Sequence, residues 1–294
     1  MEGVTRTVIV AAAACMIAAG VLAAEADSRG TYEEKWASLQ KYPVPEWFRD
    51  AKFGIYAHWG PYSVPAYKTE WYPHLMYQKG SAVYRWHTKQ FGPPAEFGYR
   101  KFIPRFTGEN FDAERWAGLF KQAGARFAGI AAIHHDGFAL WDSDVTKWNA
   151  AEMGPGIDVV GKLEKAVRGQ GLKFVLTFHH GLNREYYPTG NAAYDCSNPE
   201  YAGLYGNLPE DEFLQRWSAV VKEVVDSYRP DQVCFDFGLA EIPADIKRDV
   251  LAYYINRSQK WGKNVTVAHK NGLPDGIGVL DLERTRMKKL QSAP

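Results

Sequence analysis

"AGIAAIHHDGFALW", Ala128 to Trp141, is the stretch whose reading decides the fold. An unbroken apolar run stops abruptly at two imidazoles and a carboxylate, His134-His135-Asp136. A short run without polar alternation is a strand buried on both faces, as in a parallel sheet covered by helices. Polar groups at its end are costly unless they have partners or a task. They therefore point to the rim on which parallel α/β folds place chemistry.

Working outward, the same pattern recurs: "FGIYAHWG" from Phe53, "LKFVLTFHH" from Leu172, "DQVCFDFG" from Asp231, "NVTVAH" from Asn264 and a fainter "IGVL" from Ile277. Helical patterns lie between them, over Asp112 to Ala123, Asp158 to Gln170, Asp211 to Ser227 and Pro243 to Trp261. The expected class is α/β, a (β/α) TIM-like barrel. His58, His134, His135, His179, His180 and Asp236 all fall at the ends of these runs, and no Gly-rich phosphate loop follows the first strand. Contributions from every strand to one rim favour a barrel over a doubly wound sheet. A full barrel has eight strands, so this one is expected to be incomplete at its C-terminal side. The connection from Gly60 to Phe111 is too long for a simple loop and reads as a functional insertion.

Composition bounds the function. The chain has 294 residues, 46% hydrophobic and 23% charged, with a formal net charge of +1. It is globular, with no field that recommends nucleic acid or a strongly cationic partner. Ten Trp and 17 Tyr suit stacking on sugar faces, and equally a large core. At the N-terminus, Arg6 and then "VIVAAAACMIAAGVLAA" read as a signal peptide over 1–24. That leaves 25–294 as the barrel domain, exported to the periplasm or extracellular space, with no stable membrane insertion once the leader is cleaved. An uncleaved anchor is the alternative. Cys15 lacks the preceding Leu of a lipoprotein cysteine, and Cys196 and Cys234 alone are not a disulfide framework.

The candidate chemistry sits in three places. In "HWGPYSVPAYKTEWYP", His58, Glu70 and Trp71 can hydrogen-bond vicinal hydroxyls and stack on a pyranose; a capped strand with a structural His is the alternative. In "IHHDGF", adjacent histidines should point opposite ways from a strand, and the familiar His-x-His or i, i+4 metal spacing is missing, so no metal is expected. His134 and His135 as neutral donors, steadied by carboxylates such as Asp136, fit a hydroxyl-rich ligand better; satisfied core histidines are the alternative. In "VCFDFG", Asp236 is either a structural acceptor or a carboxylate kept for nucleophilic attack. Its place beside the rim histidines favours the second.

These residues resemble the retaining α-L-fucosidases of glycoside hydrolase family 29. "KFGIYAHWGPYSVPAY" with "EWY" is similar to that family's first-strand signature, and "HHDGFALWDSDVTKWNA" to its second, with Ile133 where Lys is usual. The likeness runs from about Glu46 to about Tyr254. It implies Asp236 as nucleophile and His58, Glu70, Trp71, His134 and His135 as lining of a fucose pocket. Phe178 stands where many relatives have a pocket Tyr, so that hydroxyl contact would be lost or supplied by His179 or His180. The turn after Asp236 is "DFGLAE", a mild departure, and "VAHKNGLPDG" offers His269 and Lys270 where a sugar-binding Asn-Asp-Arg stretch is usual. The general acid/base comes from a later, variable region; Glu283 is the choice, with Asp281 and Glu241 as alternatives.

The resemblance implies exo-hydrolysis of terminal α-L-fucosides in fucosylated oligosaccharides or glycoconjugates by double displacement, with no cofactor. Its two carboxyl groups should lie about 5–5.5 Å apart. Three alternatives differ in class: a metal-dependent hydrolase using the rim histidines, a non-catalytic fucoside-binding protein, and an inactive truncated fragment with two open sheet edges.

Overall fold

In the computed structural model the described residues are 31–283; the leader at 1–24, Cys15 included, lies outside them. Six strands form one parallel sheet: β1 (Gly54–Ala57), β2 (Phe127–Ile133), β3 (Lys173–Phe178), β4 (Gln232–Phe235), β5 (Thr266–His269) and β6 (Val279–Leu280). Each strand pairs with the next in sequence, in the order β1-β2-β3-β4-β5-β6. A doubly wound sheet would reverse its order partway; the uninterrupted sequence is that of a (β/α) barrel. Among the described residues β1 and β6 do not pair, so the barrel is incomplete.

The connecting helices begin where the sequence offers caps. α1 (Ala82–Phe91), α2 (Ala113–Gln122) and α3 (Val159–Gly169) start after Ser81, Asp112 and Asp158, whose side chains accept the amides of Tyr84, Arg115 and Gly161. Each such cap contributes about 1 kcal/mol. Farther on lie α4 (Glu210–Tyr228) and α5 (Ala244–Lys260). α3 buries Val159, Val160, Leu163, Ala166 and Val167, while α4 buries Phe213, Trp217, Val220, Val221, Val224 and Val225. With Ile130, Phe174, Leu176 and Val233 of the strands they make the core. Burying each such side chain is worth roughly 1.5–3 kcal/mol, which makes this helix-on-sheet layer the main source of stability.

The long first connection is an aromatic cap on the rim. Tyr72, Tyr99 and Phe102 are wholly buried within it, and the Tyr72 hydroxyl meets Nδ1 of His87 at 2.8 Å. This rigid packing carries Tyr62, Glu70 and Trp71 over the strand ends. Cys196 and Cys234 are free and buried. Among the described residues no helix is long and apolar enough to cross a membrane.

Candidate active site

The strands stop in step, and the residue after each stop is polar. His58 follows β1, His134 follows β2, His179 follows β3, Asp236 follows β4, Lys270 follows β5 and Asp281 follows β6. The register explains the row. Phe178 pairs with Phe235, Phe235 with His269 and His269 with Leu280, so His179, Asp236, Lys270 and Asp281 are consecutive across the sheet. Backbone bonds continue the ladder into the row, from the amide of Asp236 to Phe178 O and from that of Lys270 to Phe235 O.

Asp236 is the hub. Its Oδ2 lies 2.8 Å from Nδ1 of His179 and 3.4 Å from Nε2 of His135, and its Oδ1 contacts the Lys270 ammonium. Burial alone would push this carboxyl up, but His135, His179 and the Lys270 ammonium, all in contact with it, hold it well below the usual carboxylate range. It is ionised at any working pH. Burial lowers His179 to about 4 despite the attraction of Asp236, so the ring is neutral near pH 7. A neutral ring that donates from Nδ1 to Asp236 can accept the Thr177 hydroxyl at Nε2, 3.0 Å away. His135 is oriented from behind, its Nδ1 donating to His179 O at 2.5 Å.

Lys270 carries the second connection. Its Nζ also lies 2.5 Å from Oε2 of Glu283, so one ammonium touches both carboxyl groups. The Glu283 side chain is 43% exposed, against 8% for Asp236. Asp281, the neighbouring carboxyl, is pushed up by burial. Glu241 sits in a short turn, Leu239–Glu241, where its charge acts on Lys247. The turn after Asp236 depends on Gly238, at φ +94, where a Cβ would lie 2.4 Å from the amide of Leu182. The loops after β3 and β4 therefore pack backbone to backbone.

Above the row, Trp71 stands 5.1 Å from His135 and 5.4 Å from Tyr186, ring centre to ring centre. His58 packs 5.4 Å from His134 and 5.0 Å from His179. Oε2 of Glu70 accepts the Thr69 hydroxyl at 2.6 Å, and its charge acts on His58. The site thus has aromatic walls, neutral imidazoles and an ionised carboxylate, matching the amphipathic faces of a sugar.

Several expectations change. His134 and His135 do not diverge: their rings are 4.6 Å apart and both face His179. β2 has a register irregularity between Ala131 and Ile133 and ends there, so strand alternation no longer governs the pair. Asp136 does not steady the histidines. Its Oδ2 accepts the Tyr99 hydroxyl at 2.6 Å, and Asp236 takes the role expected of it. Phe178 and His180 stay outside the cluster. Phe178 stacks on Phe235, and His180 lies on Trp217 of α4 beside a cavity of about 20 Å³. Thr177 and Tyr186 were not anticipated; Thr177 shares a strand face with His179 by alternation, which is the signal that could have found it.

Sequence spacing also hides ligand sets drawn from separate strands. His58, His134 and His179 form one group and His135, His179 and Asp236 another, each with one ligand atom per residue within 4.8 Å of the others. These groups could hold a metal ion only at a cost. His179 belongs to both, and its two ring nitrogens already face Asp236 and Thr177.

Consecutive parallel strands, with two carboxyl groups on one rim ammonium and aromatic walls above them, make a (β/α)-barrel protein with a carboxylate-bearing site on its rim. The α-L-fucosidase family profile matches residues 20–293, and the chain belongs to the α-L-fucosidase family. It is 34% identical over 267 residues to the tissue α-L-fucosidase of Rattus norvegicus, covering 85% of this chain and 54% of the relative. The plasma α-L-fucosidase of Homo sapiens is 38% identical over 165 residues, covering 55% of this chain and 35% of that one. The crystal structure of Thermotoga maritima α-fucosidase in complex with fucose superposes with a TM-score of 0.68 at 34% identity, covering 83% of this chain and 57% of that one. The chain spans about half the length of the curated relatives it matches.

Proposed function

We propose that this protein hydrolyses terminal α-L-fucosides with retention, using Asp236 as nucleophile and Glu283 as acid/base. The observation that carries the reading is the contact of Lys270 Nζ with both Asp236 and Glu283, which brings a second carboxyl group beside the buried, ionised one. In the first step an Asp236 oxygen attacks the anomeric carbon as the bond to the leaving oxygen breaks. Glu283 gives its proton to that oxygen. In the second step Glu283 takes a proton from water, the water oxygen attacks the same carbon, and Asp236 is released. His58, His134, His135, Glu70 and Trp71 hold the hydroxyls and one face of the sugar. The substrates are fucosylated oligosaccharides or glycoconjugates, and the apolar leader supports export to the compartment where these are met.

A second reading, fucoside binding without turnover, is favoured by the same lysine. While Lys270 is in contact with Oε2 of Glu283, that oxygen is engaged by a hydrogen-bond donor rather than presented to a leaving group. One assay separates the two: release of the aryl group from an aryl α-L-fucoside by the parent, Asp236→Ala, Glu283→Ala and Asp281→Asn. Turnover lost with Asp236→Ala and restored to Glu283→Ala by azide is the expected result. Azide rescue of an Asp281 variant instead would move the acid to Asp281. A folded parent that binds L-fucose and releases nothing would leave the binding reading.

A further inference from the structure

We propose that the groove running outward from His58 and Glu70 is a second glycan subsite, selecting a sugar that carries an anionic group, with Lys68 as its specificity residue; this rests on the reading of the chain as a fucoside hydrolase. The groove is about 340 Å³ and is lined by His58, Tyr62, Ser63, Tyr67, Lys68 and Glu70 among others. That volume falls within the roughly 300–1,000 Å³ of small-molecule sites. His58 and Glu70 belong to the rim site, so the groove adjoins the place assigned to the fucosyl unit and joins it to Tyr67 and Lys68.

Its outer wall is built rigidly. Tyr67 lies flat on Trp86 of α1, with ring centroids 4.4 Å apart and planes within 2°. The residues on either side, Ala66 and Lys68, have φ of +51° and +69°, a region that side-chain-bearing residues seldom occupy. A loop free to relax would leave it. The stacked pair holds the loop there, and such strain is characteristic of ligand-contacting segments.

This backbone presents Lys68 to the groove. Its ammonium stands 5.7 Å from the Tyr67 ring centre, and no carboxylate pairs with it among the described residues. The groove therefore has a carboxylate, Glu70, at its inner end and a cation at its outer end. Neutral hydroxyl donors are drawn inward, and an anionic substituent is directed outward to Lys68. A lysine is a compact point charge without the planar fork of arginine, so the site suits either a sulfate ester or a uronate carboxylate.

The test compares kcat/KM of the parent, Lys68→Gln and Lys68→Glu for three fucosyl disaccharides, whose second sugar is neutral, sulfated or a uronic acid. The aryl α-L-fucoside serves as reference for each protein. In the parent at low ionic strength at least one anionic substrate should exceed the neutral one by about three- to fivefold, the scale of an exposed charge pair. The preference should vanish in Lys68→Gln, reverse in Lys68→Glu and shrink with added salt; which anionic substrate gains names the source of the charge. A parent without preference, or a preference that Lys68→Gln retains, overturns the subsite. If no protein releases the aryl group, the hydrolase reading fails by itself. Calorimetric binding of the same disaccharides to parent and Lys68→Gln then decides the subsite: an anionic preference lost in the variant supports it, and equal binding overturns it.

Discussion

The two halves of the rim solve the same problem differently. β1, β2 and β3 hand over to imidazoles, His58, His134 and His179, whereas β4, β5 and β6 hand over to charges, Asp236, Lys270 and Asp281. Burial pulls His134 well below the ordinary histidine range and His179 to about 4, so these rings work as neutral, oriented hydrogen-bonding groups. On the other side Asp236 keeps its charge under equal burial because an ammonium and two imidazoles face it. A buried site can hold either neutral groups fixed by local bonds or charges fixed by each other. The bond from His179 to Asp236 joins the two arrangements.

The sharpest break is at the hub. Asp236→Ala should lower aryl fucoside turnover by about a thousandfold or more, since the attacking atom is gone while the neutral half remains to bind. Calorimetric L-fucose binding within a fewfold of the parent would show that the halves separate. Loss of binding together with turnover would show that the charge organises the imidazoles as well.

Next in size is the ammonium. Lys270→Met removes a partner that opposes burial at Asp236, so the carboxyl should rise and protonate at a higher pH. Because only the ionised form attacks, the acid limb of the kcat/KM profile should shift to higher pH, with about a 10–100-fold loss at the optimum. An unmoved acid limb would mean that the imidazoles alone hold the carboxylate.

Much of this division was open to reading in the sequence. Six apolar runs ending in polar groups gave the strands and the rim, because a strand buried on both faces has no other way to be written. Alternation even separates His179 from its neighbours: Thr177 and His179 share one face, Phe178 and His180 the other, which packs on Phe235 and Trp217. Grouping Phe178, His179 and His180 together as pocket residues hid this. The convergence of His134 and His135 was not legible, since it depends on the irregularity at the end of β2. Nor was the linkage of Asp236 through Lys270 to Glu283, which joins residues 236, 270 and 283 only once β4, β5 and β6 are in register.

On the neutral side the effect should be smaller and confined to orientation. Thr177→Val keeps the shape of the side chain but removes the hydroxyl that faces Nε2 of His179. The ring loses the bond that selects its Nδ1–H form, and Asp236 loses a fixed donor for part of the time. About a tenfold fall in kcat, with KM little changed and Tm within a few degrees, is the expected result. A fall in KM-dependent terms alone would place Thr177 in binding rather than in orienting the nucleophile's partner.

The smallest effect tests whether the neutral half is neutral throughout. Asp136 lies one residue beyond the paired histidines, and burial pushes its carboxyl up to about 7 although Tyr99 OH and the amide of Phe138 donate to it. The folded state thus prefers the protonated acid, while the unfolded chain titrates near 4. Below about pH 4 both states are protonated and the group costs nothing. As the pH rises toward 7 the unfolded state gains its charge freely and the folded state does not, so stability drains away over that window. Asp136→Asn removes the titration while keeping an acceptor for Tyr99. Its Tm relative to the parent should therefore climb between pH 4.5 and pH 8, by several degrees, or on the order of 1–2 kcal/mol. A difference that stays constant across that range would mean that Asp136 is ionised in the fold. The first three strands would then carry a buried charge of their own, and the contrast between the halves would lie in the partners rather than in the charge.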